Sequence, residues 1–588
     1  MPGACAKVAG NMQSHFSLSV AAPSLMSPTP ARTANQQSAN ALWLCVVLLG
    51  FWLTGCASLP SDVDRPVSTA LTSNTDTTLG KAVAARAARA GTRNDSGFAM
   101  VGSAELAFTS RMTLIKEAQK TLDLQYYAIN ADDSTERMLD ALREAGQRGV
   151  RVRILLDDFN TAGKNAQVLK LAFEKNIELR LFNPLPSGRA SPIFRIIGSL
   201  GDVARLQRRM HNKMLVADNA VAITGGRNIG ETYFGQSEGT NFVDIDVLAA
   251  GRIARDLSRS FDQYWNNPLA YPAQSLMTLD DIIKLKPPAG ANKPRDLETD
   301  SPVPAQMQDE AGTPNKTTLT RIATTPDGGT TTIEALPDST DLQLLAWTWA
   351  PSVLLADKPS KIAADADSVE ESQDTTVDGL LQIMAEAKTD LLVVSPYFVP
   401  GKAMMAQFAD IRRRGVRVRV LTNSLASNDA PAAHAGYARY RKGLLDMGIE
   451  LYEMRAEQEG SVTSFGGATG GSAGSSTGSS RASLHAKVVV VDSQLLVVGS
   501  MNLDLRSKLQ NSEIAIVIRN GKLALEATNL IEPGLATRSY RMELSEGRLT
   551  WHAPKGSGLK DSAIEPDASL GLRLMVDLIS PFAPDEML

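Results

Sequence analysis

The chain has 588 residues, 43% of them hydrophobic and 21% charged, with a formal net charge of −4. That length buries a large core and fits two domains. The charge balance offers no general attraction to nucleic acid, which needs a basic face to displace counterions, and so counts against a nuclease.

Taken in chain order, the N-terminus is the first informative stretch. The three cysteines, Cys5, Cys45 and Cys56, all lie in the first tenth of the sequence. Beyond Cys56 no internal disulfide and no Cys-ligated zinc can form. The apolar run from Ala41 to Leu53 is shorter than the about 20 residues that cross a bilayer and suits a signal-peptide core. Its ending, Leu53-Thr54-Gly55-Cys56, resembles the lipobox of bacterial lipoproteins, in which the Cys is acylated and becomes the mature N-terminus. Residues 1–55 are therefore read as a signal peptide and Cys56 as the lipidation site. The start could be Met1, Met12 or Met26, and the last would give a signal of ordinary length flanked by Arg32. A short membrane anchor is the competing reading. Ala57 after the Cys favours the outer membrane over the inner one, with the protein facing the periplasm.

Residues 56–100, rich in Ser, Thr, Asp, Ala and Arg, read as a tether. A βα alternation then begins: helical spacing over 109–120, a strand over 122–129, a helix over 135–147, and strands over 150–158 and 177–182. The same order returns with helices near 377–388 and 402–413, strands over 391–399 and 416–424, a helix near 434–447 and a strand over 449–453. RGVRVR occurs at 148–153 and at 414–419, and IEL at 177 and 449. These matches lie about 270 residues apart, the mark of an internal duplication. Residues 101–285 and 341–556 are thus two α/β halves. Residues 286–340, loaded with Pro, Thr, Asp and Gly, read as a flexible linker. The Gly/Ser stretch within 457–482 reads as a solvated insertion more readily than an entrance flap. Residues 557–588 form a C-terminal tail, in which 569–582 suits either an amphipathic membrane-contacting helix or one packed on the domain.

Each half carries the pattern H-x-K-x4-D-x6-G-[GS]-x-N. The first copy is His211, Lys213, Asp218, Gly225, Gly226 and Asn228; the second is His485, Lys487, Asp492, Gly499, Ser500 and Asn502. The chain has only five histidines, and each specified position costs chance about a factor of 20, so two copies in register are not accidental. A phosphodiester resists attack because its oxygens are negative and its leaving group is poor. One imidazole can attack phosphorus and form a phosphoenzyme, while a second moves protons to and from the leaving and incoming oxygens. Two lysines stabilise the charge of the transferring group. If His and Lys share a strand, positions i and i+2 point together into one cleft. This chemistry needs no metal and no cofactor.

The paired motifs resemble those of the phospholipase D superfamily, whose members carry two HKD motifs across a pseudo-two-fold axis. The resemblance implies a duplicated phospholipase D fold, two α/β/α sandwich halves sharing one active site. It implies that His211, Lys213, Asp218, His485, Lys487 and Asp492 form the catalytic set, with Asn228 and Asn502 lining the phosphate pocket. Asp218 and Asp492 are expected to hold the turn after each motif strand. An acidic residue beyond each motif often supports the His; Glu513 and Asp244 are the candidates, with Asp246 close to the latter. His434 is expected either in the substrate cleft or on a helix surface.

Segments including LDLQYYAI, RGVRVRILLDDFNTAG, VSPYFVP and GSMNLDLRSKLQNSE are similar to bacterial cardiolipin synthases, most of all the class-C type. The resemblance covers about residues 100–285 and 340–556. It implies phosphatidyl transfer onto phosphatidylglycerol from phosphatidylethanolamine or a second phosphatidylglycerol, with His211 favoured as nucleophile and His485 as acid/base. Hydrolysis to phosphatidic acid by a phospholipase D is the alternative, and a non-catalytic phospholipid-binding envelope lipoprotein a further one. Membrane phospholipids are the expected partners, and no nucleic acid. Arg189, Arg195, Arg205, Arg208 and Arg209 suit either anionic head groups, at about 1 kcal/mol each near anionic lipid, or a solvated face.

Overall fold

The computed structural model describes residues 59–284, 320–324, 330–334, 339–363, 374–459 and 479–585, apart from short gaps at 187–194, 196–198, 200–201, 238 and 343. The signal-peptide region with Cys56, most of the linker, the core of the Gly/Ser insertion and Arg189 lie outside the described residues.

Two nine-stranded mixed sheets carry the fold. The first runs Ala270–Pro272, Ile177–Phe182, Arg151–Asp157, Thr121–Tyr126, Met214–Ala217, Val221–Gly225, Asp246–Ala250, Ser96–Val101 and Thr348–Ala350. The second runs Ser352–Ala356, Ile514–Arg519, Leu495–Gly499, Val488–Val491, Asp390–Val394, Arg417–Asn423, Glu450–Met454, Ser539–Ser545 and Arg548–His552. In both, three parallel strands precede the motif and an antiparallel hairpin forms within it. The structure therefore repeats what the sequence repeats. Thr348–Ala350 closes the edge of one sheet and, after Pro351, Ser352–Ala356 opens the other.

The central strands are buried on both faces, which explains sequences as uniformly apolar as Val488–Val491. Three cores result. One belongs to the N-terminal half and one to the C-terminal half. The third lies between them: Phe98, Met214, Val216 and Val247 pack with Leu392, Val488, Val490 and Ile516. Each such side chain contributes about 1.5–3 kcal/mol by leaving water, so the halves share one core.

The expected elements appear with small boundary shifts. Helices form at Ala104–Glu117, Asp133–Gln147, Thr376–Ala385 and Gly401–Arg413. The helix expected near 434–447 is two, Pro431–Ala438 and Arg441–Asp446. Residues 320–324 and 330–334, inside the expected linker, pair as an antiparallel hairpin.

The stretch read as a tether differs more. It carries a helix, Thr78–Arg89, and the buried strand Ser96–Val101. Its earlier residues run along the first half: Pro66 O accepts from Arg180 at 2.6 Å, Ser68 O from Arg153 at 2.9 Å, and Ala70 N donates to Asp262 at 2.9 Å. Buried guanidiniums need acceptors. The polar composition that suggested solvation supplies them.

Candidate active site

Two short strand pairings across the halves build the site. Arg209–Met210 lies parallel to Asn511–Ser512, and Thr240–Val243 lies parallel to Ser479–Leu484. His211 N then donates to Ser512 O at 2.9 Å, and His485 N to Val243 O at 2.8 Å. His211–Lys213 and His485–Lys487 are not on strands, as the i, i+2 argument assumed. They occupy the links through which the chain leaves the cross-half pairing and enters its own sheet at Met214 or Val488.

Each imidazole is held by a carboxylate of the opposite half. His211 Nδ1 lies 3.0 Å from both Glu513 oxygens, and His485 Nδ1 lies 2.8 Å from Asp244 Oδ2. Asp246, the nearby alternative, faces Arg111 at 3.0 Å and Arg227 at 3.3 Å instead. The two supports are not built alike. Glu513 also accepts from Ser500 Oγ at 2.5 Å and Ser507 Oγ at 3.0 Å. Asp244 accepts from the Ile245 amide at 2.8 Å and lies against Gly226, where a Cβ would fall 2.5 Å from its oxygens. The Gly/Ser alternation in the motif marks this difference.

Lys213 Nζ donates to His211 O at 2.6 Å, and Lys487 Nζ to His485 O at 2.5 Å. Asn228 bridges the Ala128 amide at 3.3 Å and the Tyr233 hydroxyl at 2.9 Å. The Asn502 amide oxygen is buried with no partner among the described residues, so this amide retains capacity for a ligand. Aromatic rings wall the imidazoles: Tyr127 stands 5.1 Å from His211, and Tyr233 and Phe242 stand 5.3 and 4.9 Å from His485. Sequence reasoning did not single these out, and Tyr127 at the end of a parallel strand was the one positional signal.

Burial sets the proton balance. It pushes His211 down to about 4, with Glu513 opposing and Lys213 adding to the shift. His485 is driven well below its ordinary value by burial, with Lys487 and Lys213 reinforcing it. Burial also lowers Lys213 to about 7 and Lys487 to about 8, against the pull of Glu513 and Asp244. Glu513 stays below the usual carboxylate range because His211, Lys213 and Ser500 outweigh its burial. Asp244 is raised, since burial exceeds the help of Lys487 and Arg227. Both imidazoles are thus neutral near pH 7, and a hydrogen on Nδ1 facing the carboxylate leaves Nε2 as a free base. A phosphodiester anion between them adds negative charge and raises the imidazole pKa values. One can then hold a proton while the other attacks.

Asp218 and Asp492 stand in turns. Asp218 takes the amides of Gln119, Lys120 and Thr121, at 3.0, 2.7 and 3.0 Å. Asp492 takes those of Lys388, Thr389 and Asp390, at 3.0, 2.7 and 3.0 Å. Both carboxylates tie the motif hairpin to the start of the neighbouring strand. His434 is neither on a helix surface nor among the contacts of the paired imidazoles. It is fully buried, with Arg441 at 2.8 Å and Glu565 at 3.4 Å. Of the arginine group, Arg195 and Arg209 are buried on Asp158 and Asp157, which removes them from any head-group surface. Among the described residues, no group of three or more His, Cys, Asp or Glu is arranged to hold a metal ion.

A duplicated α/β fold with paired HKD motifs at one cleft is the hallmark of the phospholipase D-like proteins, and the chain belongs to that family. The family described as "Cardiolipin synthase, PLD-like domain" matches residues 112–265 and again 380–533. The chain is 36% identical over 478 residues to cardiolipin synthase C of Escherichia coli, covering 81% of this chain and 92% of that one. It is 30% identical to an uncharacterized protein of Helicobacter pylori, over 80% of this chain and 85% of the other. Among solved structures, phosphatidylserine synthase of Haemophilus influenzae aligns over 86% of this chain and 99% of its own, at 14% identity and a TM-score of 0.49.

Proposed function

We propose that this chain is a phosphatidyltransferase that makes cardiolipin from phosphatidylglycerol and a second phospholipid, phosphatidylethanolamine or phosphatidylglycerol. The observation that carries the reading is the pair of neutral imidazoles, one per motif, each braced by the carboxylate of the other half. In it, the bound phosphodiester anion lets His485 take up a proton on Nε2; His211 Nε2 attacks phosphorus, the P–O bond to the head group breaks, and His485 gives that proton to the departing oxygen. A glycerol hydroxyl of phosphatidylglycerol then gives its proton to His485 and attacks phosphorus, forming the new P–O bond as the P–N bond breaks and frees His211. Lys213, Lys487, Asn228 and Asn502 hold the phosphoryl oxygens. Glu513 favours His211 as the nucleophile, because an anionic carboxylate braced by two hydroxyls stabilises the positive charge of a phosphorylated imidazole. The lipobox-like Cys56 supports a lipid anchor in the bacterial envelope facing the periplasm, outer membrane before inner. Among the described residues no helix is long and apolar enough to cross a membrane.

The test is product analysis with labelled phosphatidylglycerol, with and without phosphatidylethanolamine. Cardiolipin formed by wild type and absent with His211→Ala or His485→Ala supports transfer, and its dependence on phosphatidylethanolamine names the donor. Phosphatidic acid without cardiolipin makes the protein a hydrolase. No product from any lipid returns the weight to a binding lipoprotein. A Cys56→Ser variant with unchanged processing and membrane association overturns the anchor.

A further inference from the structure

The C-terminal tail ends in a helix, Leu570–Ile579, that is apolar almost all round yet covered on one side only. Leu572 and Val576 pack onto Leu425 and Ala435. The opposite side shows Leu570, Leu574 and Leu578 at 65%, 59% and 71% exposure, with Met575 at 40%. Spaced four apart, the three leucines form one line down the helix. Leu559 and Ile564, just upstream, are also exposed. These six are among the fourteen exposed large apolar side chains of the described residues, so the outward apolar surface is concentrated here. Such concentration on a soluble face marks an interaction site.

The exposure does not come from a loose tail. Before the helix, Glu565 is paired with the buried Arg441, whose Nε reaches Glu453 at 2.8 Å; Trp551 Nε1 donates to the same carboxylate at 2.8 Å. After the helix, Asp585 accepts from Arg439 at 2.6 Å and from the Tyr440 hydroxyl. Ion pairs at both ends therefore fix the leucines facing outward. The surface they rest on also leads to the site. Leu570–Ile579 packs on Pro431–Ala438, which follows directly on Asp429. Asp429 takes the Tyr397 hydroxyl at 2.7 Å, and its charge acts on Lys487 of the second motif.

We propose that the outer face of Leu570–Ile579 is a bilayer-docking surface that seats the cleft at the head-group layer. A lipid surface is the occupant that fits. The phosphatidyl-transfer reading, on which this proposal rests, takes both substrates from a bilayer. Charges around the stripe are mixed: Lys555 and Lys560 lie exposed beside Asp561 and Asp567 in the segment that leads into it, Arg573 is half-buried at its border, and Asp577 is exposed on the helix. The docking therefore rests on the leucines, which dip into the acyl boundary in the manner of interfacial helices.

The experiment uses the full chain with Cys5, Cys45 and Cys56 changed to Ser, and a fluorophore attached through Leu574→Cys or, as control, Leu525→Cys, another exposed apolar site at 52%. Vesicles of phosphatidylglycerol and phosphatidylethanolamine with brominated acyl chains should quench the label at 574 and leave that at 525 unchanged. In parallel, the triple change Leu570→Ser, Leu574→Ser, Leu578→Ser should lower turnover of vesicle lipid roughly tenfold or more, with turnover of short-chain monomeric phospholipid kept. Equal quenching at both sites, or vesicle turnover unaffected by the triple change, overturns the proposal. Equal loss on vesicle and monomeric lipid also overturns it, by placing the helix in the fold or the cleft rather than at a bilayer. If wild type transfers no phosphatidyl group and the label at 574 is still quenched selectively, docking stands and the transfer reading falls.

Discussion

Glu513 grips Nδ1 of His211 with both carboxylate oxygens at 3.0 Å across 302 residues of sequence, from the other half of the molecule. That brace fixes the tautomer and offsets positive charge on the ring. Glu513→Gln should therefore lower kcat by roughly 10²–10⁴-fold with a smaller change in KM. Steady-state kinetics with circular dichroism as a fold control checks it, and an unchanged kcat would remove Glu513 from the catalytic account.

The two histidines should separate by trapping. With a phosphatidyl ester whose leaving group needs no proton, such as p-nitrophenol, His485→Ala should still form an acid-labile phosphoenzyme, and His211→Ala should not. The reverse pattern would exchange the two roles.

The pH profile has a defined shape. In the proposed roles His211 must be neutral and His485 protonated, so kcat/KM should rise through pH about 4 and turn down above the lowered pKa of His485. Lys213 and Lys487 must be charged to hold phosphate, so it should fall more steeply as pH passes about 7 and then about 8. Bound phosphate favours the ammonium form, placing the alkaline limb of kcat at higher pH than that of kcat/KM. Lys213→Arg keeps its charge throughout and should remove the break near pH 7 while leaving that of Lys487. A limb still near pH 7 in that variant would refute the assignment.

Asp218 is buried with its carboxylate on three backbone amides and its own φ at 51°. Asp218→Ala should cost about 2–3 kcal/mol of stability, the loss of charged hydrogen bonds, with kcat of the folded protein nearly kept. Thermal melts and active-site-normalised rates distinguish this from a role in the chemical step, which would instead reduce kcat at unchanged Tm.

Gly226→Ala places a Cβ 2.5 Å from the Asp244 carboxylate and must push that group off His485. We expect kcat to fall by about tenfold or more, since a misplaced base loses part of its acid–base contribution. Ala at Ser500 should act differently, removing a donor to Glu513 without a clash and lowering kcat less.

Much of this was legible in the chain. The repeated RGVRVR and the two motifs mark the duplication and the imidazoles and lysines that the fold brings together, because each follows from local pattern. Contacts between the halves were not legible. Asp244 and Asp246 are two residues apart, and the choice between them depends on which lies under an imidazole that is more than 200 residues away in sequence. Tyr127, Tyr233 and Phe242 belong to no motif, and only the fold sets them beside His211 and His485. The stretch 59–76 looked solvated because its role is carried by backbone carbonyls, which every sequence has.

The cross-half pairings of Arg209–Met210 and Ser479–Leu484 imply that neither half alone has a complete imidazole–carboxylate couple. An ancestor with a single copy of the motif would have needed to meet its own twin, with two identical sites bound to evolve in step. Two copies within one chain are free of that bond. One side can hold Glu and Ser while the other holds Asp and Gly, so the two imidazoles need not stay chemically alike.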